Sequence, residues 1–155
     1  MQYFAQWLWP ENHGIDPLSA RRAAAIDAKG TTYVAYLPSE KLVLTLRRDT
    51  LFVDLGFVSA AGERRGGVAI LGDPPRFESI DVCSHDEEIV RLQASRDSHT
   101  FSTLTAPFDE PREFEARDLP PVTFPDFGDY EAFKGVSHDP WSYVVLPDDF
   151  DPPRP

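Results

Sequence analysis

The residues best suited to chemistry lie in one short stretch, Cys83-Ser84-His85-Asp86. A histidine near a cysteine can support thiolate chemistry by accepting the thiol proton. However, the partners of a catalytic triad converge from separate elements, whereas neighbours in an extended chain point in alternate directions. We therefore predict that this stretch is a strand end followed by an acidic loop and that the chain is not an enzyme. A small barrel enzyme that uses Cys83 and His85 remains an alternative.

The four histidines of the chain show no metal-binding spacing. Zinc needs three or four converging ligands, and the sequence contains neither an HExxH motif nor a CxxC pair. The acidic run at residues 86–88 lacks the glycine-punctuated ligand loop of an EF-hand. The sequence therefore predicts no metal site and no cofactor.

Three arginine pairs fall at or near predicted strand ends and loops: Arg21-Arg22, Arg47-Arg48 and Arg64-Arg65. The last pair lies in "GERRGG", where guanidinium forks and glycine backbone suit an anion, although the P-loop pattern is absent. We interpret the pairs as solvated hairpin ends, with one pair bonding the acidic end of the same chain.

Aromatic rings alternate with carboxylates in the last third of the chain. Residues 107–155 contain 12 acids and 4 bases, against 26 and 15 in the whole chain. Rings surrounded by carboxylates suit a basic protein surface, because rings supply buried area and charges steer association. The alternative is that the rings plug into the chain's own core while the carboxylates face water. The predicted partner-binding residues are Asp126, Phe127, Asp129, Tyr130, Glu131, Trp141, Asp148 and Asp149.

Charge and composition restrict the compartment and the partners. The net charge of −11 opposes binding to nucleic acid and to anionic membranes. The single cysteine cannot form an internal disulfide. Pro10 and Glu11 end the N-terminal apolar run early, and no run approaches the about 20 apolar residues that a membrane span needs. We expect a cytoplasmic protein that binds neither membrane nor nucleic acid.

The elements that must position these residues are strands, because apolar residues recur with a period of two. "LVLTL" at 42–46 and "LFVDLGFV" at 51–58 alternate in this way, and the short "RRDT" between them predicts an antiparallel hairpin. About eight or nine short strands follow one another as a meander. Such a sheet is expected to close into a barrel or to fold into a two-sheet sandwich, which hides its edges.

The stretch from Asp16 to Gly30 admits two interpretations. Asp16-Pro17 resembles a helix start and Lys29-Gly30 resembles a helix end. Because the residues between them show no clean apolar stripe, we predict at most a short helix at 17–22, followed by a strand into a hairpin that turns at Asp27.

One domain of 155 residues is predicted, with a β core at 1–106 and an acidic, proline- and aromatic-rich segment at 107–155 packed on it. Prolines exclude a central strand from 107–140. "GDYEAFKG" suggests one or two helical turns, and "WSYVVL" suggests a returning strand.

These features favour a non-enzymatic inhibitor that covers a basic partner, such as a toxin or nuclease that acts on nucleic acid or nucleotides. Small acidic proteins of this kind are similar in general character to bacterial toxin-immunity proteins, which is an analogy of class alone. The alternative function is a small-molecule carrier that holds its ligand inside a β-barrel.

Overall fold

The computed structural model describes residues 1–9, 11–83, 89–103, 112–118 and 123–152. These residues form one antiparallel sheet of ten strands, in the order β10-β9-β8-β7-β6-β5-β4-β3-β1-β2. The strands are β1 Gln2–Leu8, β2 His13–Leu18, β3 Tyr33–Leu37, β4 Leu42–Arg47, β5 Phe52–Val58, β6 Arg64–Leu71, β7 Arg76–Cys83, β8 Ile89–Ala94, β9 Thr100–Thr103 and β10 Glu113–Glu115. The predicted all-β, antiparallel meander is therefore confirmed from β3 to β10.

Alternating side chains give the sheet two distinct faces. Leu44 lies opposite Leu55, and Val43 lies opposite Gly56, so the predicted β4–β5 hairpin is confirmed. We call the face that carries Leu44 and Leu55 the front face and the face that carries Val43 and Gly56 the back face. The front face contains most of the buried apolar side chains.

The predicted closure into a barrel or a two-sheet sandwich is wrong. All ten described strands belong to one sheet, and its edge strands β2 and β10 pair with β1 and β9 rather than with each other. The front face is buried in another way. Ala23 from a helix, together with Tyr130, Phe133 and Trp141 from beyond β10, contributes to the same core cluster as the strands.

Helix α1, Ala20–Ala28, occupies the connection from β2 to β3. The Ser19 hydroxyl caps its start by accepting a hydrogen bond from the Arg22 amide, and Gly30 follows its end with a φ of 75°. The predicted short helix at 17–22 and the turn at Asp27 are therefore wrong. The helix is amphipathic once Asp27, which is buried, is counted on its inner face with Ala23.

Among the described residues after β10, short 3-10 turns and one isolated bridge take the place of regular helices and strands. The turns are Glu131–Phe133 and Pro140–Tyr143, and Val144 forms a β-bridge with Ala116. The predicted strand at "WSYVVL" is thus reduced to that bridge. In the described part of the chain, no helix has the length and apolar character needed to cross a membrane.

Candidate functional site

The predicted partner-binding carboxylates lie at the surface. All five are exposed: Asp126, Asp129, Glu131, Asp148 and Asp149. A turn gathers the first three, because the Asp129 amide donates to the Asp126 carbonyl oxygen (3.0 Å). The Asp129 carboxylate also accepts from the Glu131 amide at 3.5 Å. We call Asp126, Asp129 and Glu131 the acidic turn.

Few of these charges are neutralised by neighbouring cations. Glu131 pairs with Lys134 at 2.7 Å, and Asp149 lies 3.8 Å from Arg112 while its side chain remains 81% exposed. Within the described ranges, Asp126, Asp129 and Asp148 form no ion pair. The acidic turn therefore presents a net negative charge to solvent.

The predicted aromatic residues face inward. Tyr130 and Trp141 are 2% and 1% exposed, and Phe127 is half-buried with its ring stacked on Tyr3 at 5.2 Å. Trp141 packs against Phe114 at 6.1 Å between ring centroids. Within residues 123–152, Tyr130 and Trp141 belong to the core cluster of the front face and Phe127 packs against it, while the carboxylates form the surface. Contact of these rings with a partner stays a prediction.

Arg48 fastens the start of this segment to the sheet. Its Nε donates to the buried Asp27 carboxylate and its Nη2 to the Pro125 carbonyl oxygen, both at 2.9 Å. Its guanidinium also lies 4.7 Å from the centre of the Phe124 ring. The expected contact between one arginine pair and the acidic end of the chain is therefore present at Arg48.

A pair of buried tyrosines lies beneath the acidic turn. The hydroxyl groups of Tyr33 and Tyr130 share a hydrogen bond of 3.1 Å. Burial raises the pKa of Tyr33 to about 12, and burial together with the Tyr33 contacts raises the pKa of Tyr130 further. Both hydroxyl groups therefore stay protonated at neutral pH, and they position the backbone that carries Asp129 and Glu131.

A second polar site lies on the back face, where strands β5 to β8 bring together Asp54, Arg64, Asp81 and Arg91. We call these four residues the back-face cluster. Asp81 is 8% exposed and accepts from Arg91 Nε (2.8 Å) and Nη2 (3.1 Å) and from Arg64 Nη2 (3.1 Å). Asp81 is thus a buried carboxylate held between two guanidinium groups.

Asp54 differs from Asp81 in having no hydrogen bond within the described part of the chain. Burial raises the pKa of the Asp54 carboxyl group to about 6; Arg64 opposes this shift and Asp81 adds to it. The Trp9 ring covers this region, lying over Gly56 and 4.7 Å from the Arg64 guanidinium. The cluster therefore combines a fixed carboxylate with a carboxyl group that exchanges its proton near neutral pH.

Sequence reasoning missed the back-face cluster because its members come from four strands. The signal that could have revealed the cluster is the placement of aspartates and glycines on one face of otherwise apolar strands. Asp54 and Asp81 interrupt apolar strands on the face that also carries Gly56 and Gly67, where the register pairs Gly56 with Gly67 and Gly67 with Asp81.

The thiol of the alternative enzyme hypothesis lies in the core. Cys83 is 8% exposed at the end of β7, and burial raises its pKa, which disfavours the thiolate. His85 lies outside the described residues. His99 is exposed in the β8–β9 loop, at the end of β8 remote from Cys83, and His138 stacks on Phe57 at 4.8 Å. No group of three or more metal-ligating side chains was found within the described ranges.

Comparison with known proteins gives no relative: no family model, no curated protein and no solved structure matches the chain.

Proposed function

We propose that this chain is a non-enzymatic, protein-binding inhibitor, similar in kind to toxin-immunity proteins, and that its acidic turn binds a basic partner. The observation that carries the proposal is the exposure of three neighbouring carboxylates on a backbone anchored from below. Asp126 and Asp129 lack an ion pair within the described ranges, while Pro125 and Tyr130, next to them in sequence, are fixed to the sheet.

This anchoring supports binding rather than simple solvation. A surface that is ordered before it meets its partner loses less conformational entropy on association. The Arg48 contact to Pro125 and the Tyr33–Tyr130 hydrogen bond hold the two ends of residues 125–130. The acidic turn is therefore a preorganised array of charges.

Inhibition would proceed by occlusion. Carboxylates of the acidic turn pair with lysine or arginine on a partner whose own site binds phosphate, such as a nuclease or a nucleotide-modifying toxin. Asp148 and Asp149 extend the negative field, and the net charge of −11 accelerates the encounter. The chain itself needs no cofactor for this role.

The alternative carrier function assumed a closed barrel, whereas the ten described strands form an open sheet. Three further expectations belong to the proposal. The chain forms one domain over 1–155, the acidic segment 107–155 packs on its β core, and the protein acts in the cytoplasm; residues 107–111, 119–122 and 153–155 of that segment lie outside the described residues. The buried rings between residues 130 and 144 support the second of these.

The test is affinity capture with the full chain as bait from lysate of its source, at low and at high salt. The test variant combines Asp126→Asn, Asp129→Asn and Glu131→Gln. The matched control combines Glu11→Gln, Asp16→Asn and Glu63→Gln, which removes the same charge from exposed positions elsewhere.

We expect one stoichiometric basic protein, bound at low salt by the wild type and the control but not by the test variant. Its association rate should fall steeply with added salt. Equal binding by the test variant and the control, or no captured protein at low salt, would overturn the proposal.

A further inference from the structure

A groove of about 620 Å³ opens at the end of the sheet where strand β7 begins, and no residue of the acidic turn lines it. Its walls are the β6–β7 loop with Gly72–Pro75, the β8–β9 loop with Arg96–His99, and residues 116–118 after β10. Phe77 lies at its base, packed against Phe101 at 5.1 Å. A volume of this size is typical of sites for small organic ligands.

Hydrogen bonds connect the walls of the groove to one another and to neighbouring segments. The Ala116 amide donates to the His99 carbonyl oxygen at 2.8 Å, and the Arg117 amide donates to the Tyr143 carbonyl oxygen at 2.9 Å. The Ser98 hydroxyl donates to the Phe77 carbonyl oxygen at 3.3 Å. Each wall is thus fixed to a neighbouring segment.

Three exposed arginines line the groove, Arg76, Arg96 and Arg117. None of them forms an ion pair within the described ranges, and the contact of the Arg117 side chain is a long hydrogen bond from Nε to the Val144 carbonyl oxygen (3.4 Å). By contrast, five other arginines are paired with carboxylates: Arg47, Arg48, Arg64, Arg91 and Arg112.

Three carboxylates, those of Asp73, Asp97 and Asp118, also line the groove and equal the three arginines in formal charge, but none of them lies within ion-pair distance of these arginines in the described part of the chain. Asp97 is engaged within its own loop, where it accepts from the Ser95 hydroxyl (2.6 Å) and the His99 amide (3.0 Å). Asp73 and Asp118 line the groove without an ion pair in the described part of the chain. Unpaired guanidinium groups from three separate segments are available for an anion in a protein with an excess of acid.

We propose that this groove binds a small organic phosphate. Arginine forks match phosphate oxygens in geometry, and three of them supply more donors than a carboxylate ligand uses. Asp73 and Asp118 accept hydrogen bonds from hydroxyl or amino groups on the organic part of the ligand. The groove and the acidic turn share no residues, and the proposal does not depend on the proposed inhibitor function.

The test is a titration of the ¹⁵N-labelled full chain with adenosine 5′-monophosphate, inorganic phosphate, adenosine and sodium chloride at matched ionic strength, followed by amide chemical shifts. We expect saturable shifts at Gly72, Phe77 and Ser98 with the two phosphates, and the monophosphate should bind more tightly than inorganic phosphate. Adenosine and chloride should leave these amides unchanged. Shifts as large with chloride as with phosphate, or no saturable shift with either phosphate, would overturn the proposal.

Paired variants separate the groove from general charge attraction. Arg76→Gln with Arg96→Gln should weaken phosphate binding by on the order of tenfold for each guanidinium removed. The matched control is Arg21→Gln with Arg22→Gln, which removes the same charge from exposed positions on α1 and should leave the affinity unchanged. Equal weakening by both pairs would also contradict the proposal. The shifts of the wild-type chain remain decisive if the groove pair does not fold.

Discussion

Arg48 holds the Asp27 carboxylate at 2.9 Å, although the two residues belong to different elements, the turn after β4 and helix α1. The Asp27 side chain is 7% exposed, whereas that of Arg48 is 34% exposed. One Asp27 oxygen, Oδ1, is buried without a hydrogen bond within the described part of the chain. The charge on Asp27 is therefore compensated by Arg48.

Replacing Arg48 by glutamine should destabilise the fold by about 3 kcal/mol, because it leaves a buried carboxylate without its cation. Urea unfolding of the wild type and the variant measures the difference. Adding Asp27→Asn should restore part of the loss, since the uncompensated charge is then removed. The matched control is Arg47→Gln at the adjacent position, whose partner Asp49 is exposed, and we expect no measurable change. Equal losses at the two arginines would refute this account.

The stability of the protein should depend on the ionisation of Asp54. Its folded pKa of about 6 lies above the value of about 4 for an unfolded chain. The folded state therefore binds this proton more tightly, and the stabilisation is complete below about pH 4 and is lost as the pH rises through 6. Relative to Asp54→Asn, the free energy of unfolding of the wild type should fall by on the order of 2 kcal/mol between these limits. This is less than the full pKa difference would give, because the Asp54 side chain keeps some solvent contact.

Urea unfolding of both proteins at several pH values between 4 and 7.5 gives this difference directly. Asp16→Asn serves as the control, since it removes an exposed carboxylate outside the back-face cluster. A constant difference between wild type and Asp54→Asn across the range would show that Asp54 titrates normally.

Position 56 must be a glycine because the Trp9 ring lies directly against its backbone. A Cβ atom at position 56 would overlap two carbon atoms of that ring, whereas a Cβ atom at Gly135 would meet no atom within 4 Å. We expect Gly56→Ala to destabilise the protein by about 1–3 kcal/mol through overpacking and to change the tryptophan fluorescence. Gly135→Ala should do neither. An unchanged emission spectrum for Gly56→Ala would mean that Trp9 does not lie on the back face in solution.

The Tyr33–Tyr130 hydrogen bond should contribute about 1 kcal/mol to stability. Tyr33→Phe and Tyr130→Phe each break this hydrogen bond, while the double variant removes both hydroxyl groups. The double variant should therefore be less destabilised than the sum of the single variants, as measured by a double-mutant cycle in urea. Additive losses would indicate that the hydroxyl groups do not interact.

Strand positions could be predicted from sequence where one alternating pattern recurs, as at 42–46 and 51–58. Closure of the sheet could not, because it depends on what covers the front face. That cover includes Tyr130, Phe133 and Trp141, which lie in a stretch interrupted by proline and follow no strand period. Their burial results from long-range packing that local patterns do not encode.

The full extent of helix α1 could not be predicted either, and the reason is one residue, Asp27. The inner face of the helix contains Asp27, which an apolar-stripe analysis counts as polar. Its burial is stabilised by Arg48, 21 positions further along the chain. Likewise, the exposed carboxylates of the acidic turn were predictable from composition. For Tyr130 and Trp141, burial in the core of the same chain was only one of the two alternatives that the sequence allowed.

The position of β1 has a consequence for synthesis of the chain. Among the ten described strands, every neighbouring pair except β1–β3 joins strands that are consecutive in sequence. Most of the sheet can therefore form from local hairpins as the chain emerges, which favours rapid folding. Strand β1 precedes both of its partners and has only β2 to pair with until residues 33–37 emerge, so the aromatic residues of β1 acquire their full set of neighbours only after helix α1 has been translated.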